Sequence, residues 1–234
     1  MTREIVLDTE TTGIDPADGH RIIEIGCIEL FNHLPTGRTY HQYINPEREV
    51  DAGAIAVHGI KNEFLADKPV FAEIVGEFLD FIKDATLVIH NAEFDIKFLN
   101  SEIKPFGFPP LKLAEAVDTL LIARKKYPGS PANLDALCRR FNIDLSSREL
   151  HGALLDAQLL AEVYIELLGG RQVSLELTVE TGPEQEDTLS VEEFSGAALK
   201  RPSPLPSRLT GADKAAHREF VETLGEDAIW KRYS

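Results

Sequence analysis

The sequence predicts an α/β domain on a mixed five-stranded sheet, with three antiparallel strands first, helices on both faces and a flexible C-terminal tail. Three observations carry this expectation. Ile5-Val6-Leu7 reads as a buried strand that runs straight into Asp8-Thr9-Glu10 and a Thr11-Thr12-Gly13 turn. Further on, short apolar runs alternate with segments whose apolar residues recur at spacings of three and four, as strands and helices do. Beyond Gly170 the composition shifts, first to acids and then to prolines.

At 234 residues the chain can hold one domain with a sizeable core plus an appendage, or two small domains. A net charge of -15 argues against unaided binding to phosphate backbones, which favours basic surfaces. Metal ions can supply positive charge locally, and another protein can hold an acidic one at its substrate, so weak unaided DNA binding is expected rather than none. No apolar run approaches the ~18 residues of a membrane span, and the amino terminus enters a strand at once. A cytoplasmic location with no membrane partner is therefore expected. Cys27 and Cys138 are far apart and outside any Cys-x-x-Cys pairing, which predicts two buried thiols.

The elements follow in order. After a polar loop over Ile14 to Gly19, the run Ile22, Ile23, Ile25, Cys27, Ile28 and Leu30 predicts a long second strand. Pro35-Thr36-Gly37 is then expected to turn the chain into a third strand from Arg38 to Ile44, which completes an antiparallel meander. Ala52 to Ile60 is read as irregular or as a short helix. Phe71, Ile74, Val75, Phe78, Leu79 and Ile82 predict a helix after Pro69. Thr86-Leu87-Val88-Ile89 has the continuous apolar character of a strand covered on both faces. It leads into a helical pattern at Phe94, Phe98 and Leu99, which places Asp95 in a first turn at a strand's carboxyl end, where open α/β sheets hold their sites. Opposing the helix dipole is an equally good reason for an aspartate there. Val117-Asp118-Thr119 reads as a last short strand, followed by a helix to Lys126. Asn133 is a good cap for a helix carrying Leu134, Leu137 and Phe141. The last helix of the domain is expected over about Gly152 to Leu168, stopped by Gly169-Gly170.

Side chains two apart on a strand share a face with Cα atoms roughly 6 to 7 Å apart, so Asp8 and Glu10 can aim at one point. Two such carboxylates repel unless cations lie between them, and hard oxygen donors without sulfur suit Mg²⁺ or Mn²⁺. A bare Asp-x-Glu is also common on solvated surfaces, so partners elsewhere have to support it. His151 and Asp156 stand at the amino end of the last helix. Five residues at about 100° each leave them roughly 140° apart, so the histidine is expected on the approach loop, free to swing, with the aspartate one turn inside. Taken alone, that pair is also a solvated loop histidine beside a polar helix face. His90 ends a strand and reads as structural, and His20, His33, His41 and His217 have no carboxylate at a suggestive spacing.

Together Asp8, Glu10, Asp95, Asp156 and His151 form a constellation that the separate readings leave unexplained. DTETTG at 8–13, HNAEFD at 90–95 and HGALLD at 151–156 resemble the motifs of the DEDDh exonucleases, in the same order and over about the first 170 residues. RIIEIG at 21–26, VHGI at 57–60, NLDALC at 133–138 and the stretch 150–164 are most similar to the epsilon branch, the proofreading subunits of bacterial DNA polymerase III.

The resemblance implies a ribonuclease-H-like fold and 3′→5′ hydrolysis of the terminal phosphodiester of DNA, releasing 5′-mononucleotides. It implies that Asp8, Glu10, Asp95 and Asp156 are catalytic as ligands of two divalent metal ions, Mg²⁺ or Mn²⁺. Such a pair activates water and stabilises charge on the reacting phosphate. His151 is implied to be the general base, a contribution typically worth about 10² to 10⁴ in rate. Thr11 and His58 are implied to line the nucleotide site; a turn hydroxyl and a loop anchor are their structural alternatives.

The tail is read as a linker over 171–209 and a helical segment over 210–234. Gln172, Leu175 and Leu177 resemble the short peptide with which bacterial replication proteins bind the sliding clamp, although Val173, Leu175, Leu177 and Val179 also alternate like an edge strand. Thr210 reads as a helix cap. Phe220, Leu224 and Trp230 are candidate contacts to the catalytic alpha subunit of DNA polymerase III, as the resemblance implies; folding back onto the first domain is the alternative. A free-standing RNA-trimming nuclease and a non-catalytic clamp-binding subunit remain as rival readings.

Overall fold

The computed structural model describes residues 2–146, 150–170 and 210–224. The chain divides into two units, Met1–Leu177 and Thr178–Ser234. In the first unit, strands β1 (Arg3–Thr11), β2 (Ile22–Phe31), β3 (Leu34–Tyr43), β4 (Thr86–Ile89) and β5 (Val117–Asp118) form one sheet in the order β3-β2-β1-β4-β5. β1 pairs antiparallel with β2 and parallel with β4, so the sheet is mixed as expected.

Alternation along β1 sends its side chains to two separate cores. Ile5 and Leu7 join Ile25 and Cys27 of β2 against α3 (Phe71–Ile82) and α4 (Ala92–Ile103), where Phe71, Phe78 and Phe98 are the largest buried groups. Val6 faces the other way, with Ile28, Leu30 and Val88, onto Ala157, Leu160, Ala161 and Tyr164 of α7 (Ala153–Leu167). Helices α5 (Thr119–Lys126) and α6 (Leu134–Phe141) close over the far side of α7 through Ala123, Leu137 and Cys138. Both cysteines are buried thiols. The segment over 52–60 is helical as α1 (Ala52–His58), ending at Gly59 with φ 74, and a short α2 (Asn62–Leu65) follows.

The hairpin between β2 and β3 differs from expectation. Pro35-Thr36-Gly37 does not make the turn; β3 already begins at Leu34, and the chain reverses at Asn32-His33, with φ of 49 and 64. A two-residue loop with both φ positive matches the twist of the flanking strands. Pro35 is tolerated because β3 is an edge strand. Gly37, at φ 84, lies where the β2–β3 register shifts, so the strong turn signal marks an irregularity within a strand.

In the second unit α8 spans Gly211–Thr223. The Thr210 hydroxyl accepts from the Asp213 amide at 3.2 Å, and the Asp213 carboxylate accepts from the Thr210 amide at 2.9 Å, a reciprocal cap. Phe220 and Leu224 are exposed. Gln172, Leu175, Leu177 and Trp230 lie outside the described residues. Among the described residues no helix is long and apolar enough to cross a membrane.

Candidate active site

The carboxylates arrive from three elements. Asp8 and Glu10 stand on the α7 side of β1, the side also occupied by Val6. Asp156 projects from the first turn of α7 and is buried. Asp8 pairs in register with Gly26 of β2, and a Cβ at Gly26 would collide with the backbone of Ala153 and Leu154. The missing side chain therefore lets the start of α7 rest directly on the sheet, beside Asp8.

This contact yields a prediction. Gly26→Ala should destabilise the fold by about 1 to 3 kcal/mol, the usual cost of overpacking against groups that cannot move. It should also lower activity, because relief requires the turn carrying Asp156 to shift. Gly76→Ala, on an exposed position of α3 with open space around it, should be neutral or stabilising in the same urea titration. Equal stability of the two variants would contradict the close approach.

Asp95 comes from the opposite side of the sheet, in the first turn of α4. Thr9, between the two β1 acids and pointing the other way, donates from its hydroxyl to Asp95 Oδ1 at 2.7 Å. The start of α4 is anchored by Asp118, at the end of β5. Its carboxylate accepts from the amides of Asn91 and Ala92, both at 3.2 Å, and from Leu120 and Leu121 of α5 at 2.8 and 3.3 Å. One side chain thus caps two helices, and the sequence alone does not reveal it because Asp118 is far from α4 along the chain.

His151 precedes α7, with the extended Gly152 between them, as the spacing requires. Its Nδ1 lies 3.0 Å from Asp156 Oδ2. An ionised carboxylate can only accept, so Nδ1 donates in this bond, and in the neutral ring the lone pair is then on Nε2. The backbone amide of His151 donates to the Val57 carbonyl at 3.3 Å, tying this loop to α1. Ligand atoms of Glu10, His151 and Asp156 lie within 4.8 Å of one another.

The electrostatics match a cluster of acids. Burial first, and then the charges of Asp95, Glu10, Asp156 and Glu24, hold Asp8 well above the ordinary carboxylate range. Burial raises Asp95 to about 7, although the Thr9 hydrogen bond acts in the opposite direction. Four hard oxygen donors that repel one another fit divalent cations of the Mg²⁺ type, and Asp8, Glu10, Asp95 and Asp156 could hold them. Among the described residues, the ligand atoms close enough to share one ion are those of Glu10, Asp156 and His151, so the histidine stands within the same group as two of the carboxylates.

Glu10 opens into a cleft of about 390 Å³ lined also by Thr11, Ile14, Val57, His58 and Phe94. His58 is buried; its Nδ1 accepts from the Ile60 amide at 3.0 Å, so Nε2 carries the proton, and Nε2 makes no well-formed hydrogen bond although the Thr11 backbone lies near enough to favour the charged ring. Burial lowers the His58 pKa and keeps the ring neutral. The Thr11 hydroxyl donates to the Gly13 carbonyl at 2.6 Å, the turn role that its position allows. Sequence reasoning missed the apolar wall of Ile14, Val57 and Phe94. Ile14 was detectable as a large apolar residue in a polar loop.

The family model described as Exonuclease matches residues 5–164. DNA polymerase III subunit epsilon of Rickettsia felis is 49% identical over 228 residues, covering 95% of this chain and 96% of that protein. The Rickettsia conorii protein of the same name is 58% identical over 178 residues, 75% of this chain and 77% of its own. The Escherichia coli K12 protein is 44% identical over 246 residues, 99% and 98%. Among solved structures, the nuclease domain of 3′hExo, a DEDDh family member bound to rAMP, superposes with a TM-score of 0.60 at 21% identity, over 71% of this chain and 91% of that one. Exonuclease X in complex with 5′ overhanging duplex DNA gives 0.56 at 24%, over 72% and 91%. These two likenesses bear on the fold, which is the ribonuclease-H-like one. A matching model over most of the chain, and relatives this similar over nearly its full length, mean that the chain belongs to the exonuclease family, alongside the epsilon subunits of DNA polymerase III.

Proposed function

We propose that this exonuclease removes nucleotides from the 3′ end of DNA as the proofreading subunit of a replicative DNA polymerase, with Asp8, Glu10, Asp95, Asp156 and His151 as its catalytic residues. The observation that carries this is the gathering of Asp95, Glu10 and Asp156 around Asp8, whose pKa their charges raise, with His151 Nδ1 bonded to Asp156. Two divalent cations, Mg²⁺ or Mn²⁺, would supply activation of water and neutralisation of charge on the phosphate. The carboxylates would hold and space them, with Thr9 fixing Asp95. His151 Nε2 takes the proton of the attacking water, and Asp156 orients the ring and favours its charged form once the proton has moved. The His58 Nε2–H is a fixed, neutral donor in the cleft beside Glu10, suited to an oxygen of the terminal nucleotide, with Ile14, Val57 and Phe94 as an apolar wall for its base.

The names of its relatives support polymerase III as the assembly. The catalytic alpha subunit would bind through the 210–234 segment, where Phe220 and Leu224 stand exposed. The sliding clamp would bind through 172–177, and 171–209 would act as the linker. A replisome partner places the protein in the cytoplasm, at the nucleoid.

Mononucleotide release from a DNA primer with a mismatched 3′ end, compared with a paired end and with RNA of the same sequence, tests this reading. Release that requires a divalent cation and is faster from the mismatched DNA end is expected. Preference for RNA would favour an RNA-trimming nuclease, and release from none of the three would sink the enzymatic assignment.

A further inference from the structure

Glu24 stands directly opposite Glu10 in the antiparallel register of β1 and β2. It lies on the same side of the sheet as Gly26 and Ile28, the side that meets α7. Like charges facing each other across a strand pair destabilise a sheet. This pair is the more costly because Glu24 is only 2% exposed. Its Oε1 is satisfied by His41 Nε2 at 2.7 Å, from the neighbouring β3. Its Oε2 is buried and has no hydrogen-bond partner. Tyr43, the register partner of Glu24 on β3, has its phenol pKa raised by burial, by the Glu24 charge and by hydrogen bonding to the Glu24 side chain, but that approach leaves Oε2 short of a well-formed hydrogen bond. A buried carboxylate oxygen with nothing to accept from costs stability and is retained where something else completes it. Local rules of sheet pairing are broken at functional sites for this reason.

We propose that Glu24 is a positioning residue of the cation site: its Oε2 accepts a hydrogen bond from water hydrating the divalent cation that Glu10 would hold, while His41 fixes Oε1. This rests on the metal reading of the site given above. Mg²⁺ and Mn²⁺ sites suit such an arrangement, because Mg²⁺ in particular keeps several of its waters and those waters need acceptors. The His41 contact holds Oε1 in place, so Glu24 contributes an oriented acceptor. The stripe from Glu10 through Glu24 to His41 then extends the catalytic cluster across β2 to the edge strand.

Mn²⁺ binding to the full chain without DNA, followed by electron paramagnetic resonance and by the thermal shift that Mn²⁺ induces, tests this. Glu24→Gln replaces an acceptor by an amide, and Glu24→Asp keeps the charge but withdraws the oxygen. Both should bind Mn²⁺ about ten-fold more weakly, the scale on which outer partners of metal ligands act. Metal-free Glu24→Gln should be at least as stable as wild type, because a like charge opposite Glu10 is gone. Wild-type affinity in both variants, with a lowered melting temperature in the absence of metal, would mean that Oε2 serves packing or Tyr43, and would overturn the proposal. If the wild type itself binds no Mn²⁺, the metal reading of the whole site falls with it.

Discussion

Asp8→Ala is expected to reduce mononucleotide release by about 10³-fold or more, the scale on which loss of a preorganised charge-stabilising group acts. The same variant should leave the metal-free protein as stable as wild type or more so. The two outcomes have one cause. Asp8 is the member of the cluster that Asp95, Glu10, Asp156 and Glu24 all push above its ordinary pKa, so in the absence of cations its charge is a burden on the fold. Its oxygens are useful only when cations lie between them. A structural acid would behave in the opposite way, because removing it would unfold the protein and abolish activity through that loss. Chemical denaturation in EDTA, set beside the rate in Mg²⁺, separates the cases. An Asp8→Ala protein that melts early in EDTA would refute the repulsion argument even if it were inactive.

In EDTA the wild-type protein should lose stability as pH rises, and a divalent cation should reverse this. Asp8 and Asp95 both hold their protons more tightly in the folded state, Asp95 up to about 7. In the unfolded chain an aspartate has a pKa of about 3.9. Between these values the unfolded state has released a proton that the folded state still binds, so unfolding becomes easier with rising pH. The contribution is fully present below the unfolded pKa and is lost as pH passes through the folded one. Each pH unit in this window removes at most about 1.4 kcal/mol per group. Urea midpoints at pH 5 and pH 8 should therefore fall in EDTA and hold or rise in Mn²⁺, which binds the ionised carboxylates. Asp8→Ala should flatten the EDTA slope, since it removes a raised group and one of the charges that raise the others. A midpoint in EDTA that climbs from pH 5 to pH 8 would mean that the carboxylates do not face one another.

Which structure follows from which residues can now be separated. The strands and helices were legible because their signals are local: the apolar run into Asp8, the three-and-four spacing from Phe71 to Ile82, the Asn133 cap, whose side chain accepts from the Ala136 amide at 2.8 Å. The place of His151 before α7 followed from helix geometry alone. The hairpin was misread because Pro35-Thr36-Gly37 is a stronger turn signal than Asn32-His33, and only pairing with β2 decides between them. The histidines were unreadable for the same reason. His33 lies 2.8 Å from Glu4 and His41 2.7 Å from Glu24, contacts made across strands and invisible to sequence spacing.

By itself the sequence determined the five catalytic candidates and the elements that carry them, since motif, periodicity and capping act within a few residues. Only the tertiary structure decided that Asp118 anchors the helix of Asp95, that Gly26 lets α7 bring Asp156 to Asp8, and that Glu24 faces Glu10. Those relations join residues from 14 to 148 positions apart along the chain. They depend on strand register and on how closely two backbones can approach, and both are set by packing the whole domain at once.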